Sequence, residues 1–294
     1  MLDIEKKIEK LFDVFIERPF NFAKHSSIGV GGNAPFACYP QTIEACCKLL
    51  DLLYTEGVPF LIVGNMTNVL PMDTGTEKIV ICMRKLIRAE IGETVYVEAG
   101  VISGCLLRAC RYAGKSGAEF LNGIPCTLGG ALYMNAGVNG RYIAEIVDSV
   151  SVWLDGKLQT LTKDECQYAY KHSIFMERGG VILSAQLSLT NASTAEIKAI
   201  ETYYAQRRRH LPTGRSMGCV FKNPEGHVAG QLIEQAGLKG MRIGGAYVSN
   251  EHANFILNDG SAKSRDICAL IALIKEEIEK QFGIKLQEEI RYLT

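Results

Sequence analysis

Glycine-rich segments are the first part of this sequence whose residue types could do chemistry. Gly64-Asn65-Met66-Thr67-Asn68 directly follows the apolar run PFLIV. Successive backbone N–H groups in such a turn can form a nest that binds an anion, and Asn and Thr side chains add donors. The segment is therefore either an anion-binding turn or a plain turn after a strand.

A second segment, GIPCTLGGALYMNAG, runs from Gly123 to Gly137. Thr127 is placed to cap a short helix, whose first N–H groups would be directed at a phosphate. The small residues let a ligand approach the backbone. Its length and composition favour a ligand-binding segment over a turn alone.

Two familiar nucleotide-binding patterns are excluded. Gly29 to Ala34 matches G-x-G-x-x-A, but NFAKHSSI precedes it in place of a strand and Pro35 follows at once, so we reject the dinucleotide fingerprint. The chain has no G-x-x-x-x-G-K-[ST], which excludes a P-loop nucleotide hydrolase.

Two further segments hold candidate reactive side chains. Cys219 lies in GCVFKNP, where a lone cysteine in an apolar run is usually a core residue. The flanking Gly218, Lys222 and Asn223 would instead suit a cleft. The segment QYAYKHSIF, residues 167–175, gathers two tyrosines, a lysine and a serine, and is otherwise typical of a surface strand.

Short helices and strands joined by glycine-rich turns must position these segments. Apolar spacing predicts helices at 2–17, 42–54, 103–117, 194–209, 228–236 and 262–282, and strands at 59–64, 78–83, 94–100 and 181–189. Asp155-Gly156 predicts a hairpin. The arginines at 207–209 are either a solvated helix end or partners of a substrate phosphate. The mixed order favours an α+β or α/β fold, with a boundary near residue 190.

Composition bounds the class of protein. The chain has 294 residues with 32 basic and 32 acidic side chains, a balance that excludes a generic polyanion binder, so no nucleic-acid partner is expected. No apolar run reaches 18 residues and the N-terminus lacks the layout of a signal peptide, so we expect a cytoplasmic chain without membrane insertion. The ten cysteines are expected to be reduced, and their spacing predicts no metal site.

Taken together, these segments resemble the UDP-N-acetylenolpyruvoylglucosamine reductase family, which completes UDP-N-acetylmuramate for bacterial peptidoglycan. The likeness runs in order from about Asn21 to Leu293. Its most specific parts are GIPCTLGGALYMNAGVNG, GCVFKNP, LIEQAGLKGMRIGGAYVSNEHANFILN and LQEEIRYL. The brief loop between Phe175 and Val181 is similar to the shorter subclass, which lacks a tyrosine-bearing insertion.

The resemblance implies an α+β chain with a two-subdomain FAD-binding fold of the vanillyl-alcohol-oxidase/PCMH-like type and a C-terminal α+β substrate-binding domain. The expected domains are 1–85 and 86–190 for FAD and 191–294 for substrate, with the tail 286–294 returning toward the flavin. NADPH would be the hydride donor and UDP-N-acetylglucosamine enolpyruvate the substrate. The expected state is a monomer or weak dimer.

The resemblance also carries roles to matching positions. The FAD cradle would comprise Gly64, Asn65, Met66, Thr67, Asn68, Gly123, Ile124, Pro125, Thr127, Gly129, Gly130, Asn135 and Gly137. Substrate binding would involve Tyr170, Arg215, Gly218, Lys222, Asn223 and His252. The catalytic residues would be Cys219, Glu289 and Lys171.

The catalytic matches differ from the family in two places. Cys219 stands where the motif G-S-x-F-x-N-P has the serine that protonates the enolate left by hydride delivery. A thiol is a stronger acid than an alcohol and can donate while it stays protonated. Glu289 matches the glutamate of L-x-P-E-V-R. Lys171 replaces the arginine of Y-R-x-S, which keeps the charge but loses the two-pronged donor geometry.

Two further departures bear on flavin binding. Met66 replaces the final glycine of the flavin turn, which would cost roughly 1–2 kcal/mol if that position has a positive φ. Gly29 replaces the arginine of H-T-x-F-R-x-G-G and removes a cation from the flavin region. Together with Lys171, these departures motivate a second hypothesis, a flavin-poor relative that binds UDP-sugars as a sensor or scaffold. A third, an oxidoreductase on the same fold acting on an alcohol, is opposed by GCVFKNP.

Overall fold

The structure is a computed structural model that describes residues 2–294. Its α-helices are α1 (Leu2–Ile8), α2 (Phe22–His25), α3 (Ile43–Thr55), α4 (Ser103–Tyr112), α5 (Leu128–Tyr133), α6 (Phe175–Arg178), α7 (Thr194–Arg207), α8 (Ala229–Gln235) and α9 (Ser264–Phe282). Its strands are β1 (Val14–Glu17), β2 (Phe20–Asn21), β3 (Asn33–Ala34), β4 (Ala37–Pro40), β5 (Phe60–Val63), β6 (Val69–Pro71), β7 (Ile79–Cys82), β8 (Ala89–Ile91), β9 (Val95–Glu98), β10 (Lys115–Ser116), β11 (Gly137–Val138), β12 (Arg141–Tyr142), β13 (Val147–Leu154), β14 (Lys157–Thr162), β15 (Val181–Leu187), β16 (Thr190–Asn191), β17 (Arg215–Cys219), β18 (Arg242–Ile243), β19 (Ala246–Val248), β20 (Phe255–Asn258) and β21 (Arg291–Leu293). Short 3₁₀ turns lie at Met83–Lys85, Glu119–Leu121 and Ile143–Glu145.

The chain divides into two compact units. The first takes the chain up to Arg18, then Phe36–Asn65 and Lys78–Arg208, and the second takes Pro19–Pro35, Met66–Glu77 and Arg209–Thr294. Helix α7 belongs to the first unit, where Glu201 pairs with Arg111 at 2.5 Å. The predicted division at residues 85 and 190 stays a prediction, and the compact units group α7 with the chain that precedes it.

The first unit is built on two sheets. One has the order β1-β4-β7-β5, in which β7 is parallel to β4 and β5 while β1 is antiparallel to β4. The other is antiparallel with the order β14-β13-β15-β9-β8. A single apolar core contains buried residues of both sheets, among them Ile81, Val97 and Val150.

The predicted hairpin at Asp155-Gly156 is confirmed in this unit, and the two ends of α3 have local causes in the sequence. Thr42 Oγ1 accepts a hydrogen bond from Ala45 N at 3.1 Å and caps α3, and Gly57 follows the helix at φ +64°. Asp155 and Gly156 both have a positive φ, as a two-residue hairpin turn between β13 and β14 requires.

The predicted N-terminal helix over 2–17 is wrong in its second half. The helix ends at Ile8, and residues 14–17 form β1, which pairs with β4. Asp13 has φ +60°, a left-handed conformation that interrupts a helix. The helix predicted to reach residue 117 also ends early, at Tyr112, before the left-handed Gly114.

The second unit contains the antiparallel sheet β17-β20-β19-β18 together with α8 and α9. Residues such as Ile256, Ile233 and Ile271 form its core. Asp73 Oδ1 accepts a hydrogen bond from Ser264 N at 3.0 Å and so satisfies a donor at the start of α9. The tail strand β21 runs parallel to β6.

None of the helices in the described part of the chain is long and apolar enough to cross a bilayer. Residues 2–294 also hold no group of three or more His, Cys, Asp or Glu side chains that could ligate a metal ion.

Candidate functional site

The two glycine-rich segments lie against each other in the first unit. Gly64 follows β5, and a Cβ at this position would overlap Thr127 Oγ1. Asn65 Nδ2 donates a hydrogen bond to the carbonyl of Pro125 at 2.8 Å. Segments singled out separately in the sequence therefore form one structural feature.

The segment from Gly123 to Gly137 keeps its backbone close to its neighbours. Thr127 is buried, and its Oγ1 accepts a hydrogen bond from Gly130 N at 3.4 Å, so it caps α5 as predicted. Gly129 N donates to Ala99 O at 2.8 Å, and a Cβ at Gly129 would lie 3.0 Å from the Ala99 Cβ. A Cβ at Gly137 would overlap the Arg141 carbonyl oxygen. A side chain at Gly129 or Gly137 would push the neighbouring segment away, which explains why glycine occupies both positions.

Asn135 links this segment to the segment that holds Lys171. The residue is buried at φ +44°, and its Nδ2 donates to Ala169 O at 2.8 Å. Its Oδ1 accepts from Ala144 N at 3.2 Å. Because both ends of the amide bond to backbone, the side chain acts as a structural link. The cofactor role predicted for Asn135 then depends on its backbone.

Tyr170 and Lys171 occupy the tip of a tight turn. Ala169 and His172 exchange backbone hydrogen bonds of 3.2 and 3.1 Å across it, and Lys171 has φ +52°. The exposed Tyr170 ring meets the Tyr142 ring edge-on, with centroids 6.4 Å apart. The lysine predicted to bind the substrate carboxylate therefore lies on a turn of the first unit that a hydrogen bond from Asn135 to Ala169 O holds in place.

Cys219 ends strand β17 of the second unit. The pairing of β17 with β20 is irregular between Ser216 and Cys219, and Gly218 between them has φ +75°. Such a bulge changes the direction of the side chain that follows it. Cys219 is half-buried, whereas a lone cysteine in an apolar run is usually a fully buried core residue.

The C-terminal tail places Glu289 next to this strand end. Glu289 N donates to Val220 O at 2.7 Å, and Lys222 N donates to Gln287 O at 2.8 Å. Asn68 Nδ2 donates to Glu289 O at 3.3 Å from the other side. Cys219 and the half-buried Glu289, 70 positions apart in sequence, therefore lie on neighbouring extended segments.

Asn254 supports this arrangement and was missed by sequence reasoning. It is buried, its Oδ1 accepts from Phe221 N at 2.9 Å, and its Nδ2 donates to Phe221 O at 2.8 Å. Its carbonyl accepts from Val220 N at 2.8 Å. Asn254 lies in the segment HANF, but an asparagine there does not by itself indicate that its side chain bonds to the backbone of Phe221, two residues after Cys219.

The remaining substrate candidates differ in how their side chains are used. Asn223 Oδ1 accepts from Ala229 N at 3.0 Å at the start of α8. His252 Nδ1 accepts from Asn254 N at 3.3 Å, and burial lowers the pKa of His252, which favours its neutral form. Lys222 is half-buried and follows the clamped residues directly.

The two departures in the flavin region take these forms in the second unit. Met66 is buried at φ +47°, and its carbonyl accepts from Ser27 N at 3.3 Å. Gly29 has φ +71°, and a Cβ there would lie 2.9 Å from Arg215 Cδ. The exposed Arg215 of β17 thus covers the glycine that replaces the family's arginine. Thr67 lies nearby, its carbonyl 3.9 Å from a Cβ built at Gly218.

Comparison with known proteins identifies the family. A family model described as "UDP-N-acetylenolpyruvoylglucosamine reductase, C-terminal domain" matches residues 209–293, and one described as "FAD binding domain" matches residues 34–162. The chain is 37% identical to the UDP-N-acetylenolpyruvoylglucosamine reductase of Clostridioides difficile over 286 residues, which covers 96% of this chain and 93% of that protein. It is 36% identical to the enzyme of the same name from Geotalea uraniireducens, covering 92% and 91% of the two chains.

Solved structures agree. The crystal structure of the reductase from Thermus caldophilus superposes with a TM-score of 0.84 at 30% identity, over 96% of this chain and all of that one. A glucose dehydrogenase, Phl p 4.0202, shares the fold at a TM-score of 0.51 and 14% identity over 65% of this chain. The predicted α+β fold, FAD-binding with a C-terminal substrate domain, is confirmed. The chain belongs to the UDP-N-acetylenolpyruvoylglucosamine reductase family.

Proposed function

We propose that this chain reduces the enolpyruvyl group of UDP-N-acetylenolpyruvoylglucosamine to give UDP-N-acetylmuramate, with FAD as cofactor and NADPH as hydride donor. The observation that carries the proposal is the pairing of the C-terminal tail with residues 220–222, which sets Glu289 beside the end of the strand that bears Cys219. Relatives of this name match the chain over nearly its whole length.

The first unit offers residues that fit FAD. A Cβ at Gly64 would overlap Thr127 Oγ1, and one at Gly130 would lie 3.4 Å from the same atom, so the absence of side chains keeps the backbone around Thr127 accessible at close range. The Asn65 and Thr127 side chains bond to the backbone of the long glycine-rich segment, and successive backbone N–H groups in such turns can form a nest for the pyrophosphate. We assign FAD binding there to Gly64, Asn65, Gly123, Ile124, Pro125, Thr127, Gly129, Gly130, Asn135 and Gly137. Met66, Thr67 and Asn68, which follow in sequence, keep the same assignment from the resemblance.

FAD held by these residues would supply hydride chemistry, with NADPH as the source and the terminal vinyl carbon of the substrate as the acceptor. The electron pair then left at the carbon beside the carboxylate needs a proton, which Cys219 Sγ donates. The thiol must be protonated to act as an acid, so an unactivated thiol suits this role. The strand bulge at Gly218 supports the assignment because it gives Cys219 a half-buried position.

Two charged residues complete the proposed chemistry. Lys171 provides positive charge for the substrate carboxylate, where electrostatic stabilisation of the developing enolate lowers the barrier. Glu289 acts as the second catalytic group, because a carboxyl can give or take a proton. Tyr170, Arg215, Gly218, Lys222, Asn223 and His252 are assigned to substrate binding.

The test separates the two halves of the reaction. Purified protein is incubated with FAD and desalted, and a retained flavin band that NADPH bleaches is the expected result. Adding substrate without oxygen should restore the band. In Cys219→Ala, NADPH should still bleach the band, whereas reoxidation by substrate should slow by about 10²–10⁴-fold through loss of the acid.

Cys219→Ser is the matched control, because serine has the same shape and still carries a donor. It should reoxidise far faster than the alanine variant. A wild-type protein that rejects added FAD would overturn the proposed function. Equal reoxidation rates in the alanine variant and the wild type would overturn only the role of Cys219.

The proposal also includes the cellular localisation and the oligomeric state of the protein. We expect the chain to work in the cytoplasm, as a monomer or weak dimer. The flavin-poor alternative is not favoured, since the relatives that match nearly the whole chain are named as reductases.

A further inference from the structure

The three consecutive arginines at the end of α7 have different environments. The Arg207 guanidinium lies 5.2 Å from the ring centroid of Tyr203 on its own helix and donates to the Tyr203 hydroxyl at 3.0 Å. Arg209 is exposed. Arg208, the residue that caps the helix, is half-buried, so the structure distinguishes it from both neighbours.

Arg208 packs on the first residue of the long glycine-rich segment. A Cβ built at Gly123 would lie 2.8 Å from Arg208 Nε and 2.9 Å from Arg208 Cδ. Gly123 also has φ +78°, a conformation that disfavours other residues. The absence of a side chain at Gly123 thus leaves the space that the arginine side chain occupies.

The charge of Arg208 reaches further into the same segment. Burial raises the pKa of the Cys126 thiol to about 11, and the positive charge of Arg208 acts against this rise. Cys126 directly precedes Thr127, the cap of α5. The Arg208 side chain therefore lies against Gly123, and its charge acts on the Cys126 thiol. These two residues flank the proline whose carbonyl accepts from Asn65 Nδ2.

We propose that Arg208 is a further cofactor-binding residue whose guanidinium pairs with the pyrophosphate of FAD. The inference rests on the proposed function, which assigns Gly123 to Gly137 to FAD. The other assigned groups there are neutral, whereas a pyrophosphate carries two negative charges. A guanidinium matches phosphate oxygens with two parallel N–H donors and keeps its charge at every working pH.

The experiment measures the dissociation constant of FAD from the apoprotein by quenching of flavin fluorescence at low and high salt. Arg208→Ala and Arg208→Gln should weaken binding about tenfold or more at low salt, and the deficit should shrink at high salt because ions screen a charge contact. Arg208→Lys, which keeps the charge, should recover part of the affinity. Arg209→Ala, which removes the exposed neighbour, should bind as the wild type does.

Four outcomes would overturn the inference. Arg208→Ala and Arg209→Ala could bind FAD equally well. The deficit could be the same at every salt concentration and unrelieved by lysine, which would indicate a packing role. The substrate KM could rise while FAD affinity stays unchanged, which would assign Arg208 to the substrate phosphates. A wild-type apoprotein that binds no FAD would overturn the proposed function together with this inference.

Discussion

Met66 combines two properties that oppose each other at the scale of one residue. Its side chain is buried, which stabilises the fold, but its φ of +47° is strained for a residue with a Cβ. Met66→Ala and Met66→Gly both remove the buried side chain, but only glycine relieves the strain. The glycine variant should therefore be the more stable of the two by roughly 1–2 kcal/mol.

Urea denaturation of both variants tests this order. Elsewhere, replacing alanine by glycine usually destabilises a helix or strand by about 0.5–1 kcal/mol, so the expected sign is the reverse of the ordinary one. An alanine variant as stable as the glycine variant would show that the backbone here carries no strain.

The sequence predicted the proposed catalytic residues better than it predicted the residues that hold them in place. Cys219 and Glu289 could be named because the resemblance fixes their places in short motifs. Asn254 could not, since its role is a pair of hydrogen bonds to Phe221, 33 positions earlier in the chain. Arg208 was one of three equivalent arginines in the sequence, and only packing against Gly123 separates it from the others.

At the scale of elements, the turn that carries Lys171 depends on a side chain from another segment. Asn135→Gly keeps the positive φ but removes the hydrogen bonds to Ala169 O and Ala144 N. Losing these two hydrogen bonds, each worth about 0.5–1.5 kcal/mol, should cost about 1–3 kcal/mol. We expect faster amide hydrogen exchange over residues 167–173 and a higher substrate KM. FAD affinity should stay close to that of the wild type, because the cofactor role assigned to residue 135 depends on its backbone, which glycine keeps.

Asn135→Asp is the matched control, because aspartate tolerates the same φ and keeps an acceptor for Ala144 N. It should keep the bond from Ala144 N but lose the bond to Ala169 O and repel that carbonyl, so exchange over residues 167–173 should stay fast while the Ala144 amide stays protected. Unchanged exchange over residues 167–173 in Asn135→Gly would show that the turn is held by its own backbone bonds.

Elements with a strong local signal were predictable, and those decided by pairing were not. The two-residue turn at Asp155-Gly156 requires a positive φ at both positions, and Asp-Gly is a residue pair that favours this conformation. Residues 14–17 have the apolar spacing of a helix, yet they form β1 because β4 supplies backbone partners such as Cys38 for Ile16. Tertiary pairing decided the outcome there, and the local sequence does not contain it.

At the scale of the whole molecule, the ten cysteines differ in how deeply they are buried. Five of them are buried, including Cys38 and Cys110 in the first unit. Burial raises the pKa of each of these two thiols from 9.0 to about 12, and the charge of Glu119 adds to the rise at Cys110. Folding therefore keeps protons on thiols that would lose them in the unfolded chain.

This difference predicts alkaline instability. Above pH 9 the unfolded chain binds fewer protons than the folded one, so the free energy of unfolding falls as pH rises toward 12. Each fully protonated buried thiol contributes up to about 1.4 kcal/mol per pH unit to this fall. Denaturation measured between pH 8 and 10.5 should give a shallower slope in the double variant Cys38→Ala, Cys110→Ala. Cys105→Ala, which removes an exposed thiol, should keep the wild-type slope, and equal slopes in all three proteins would contradict the account.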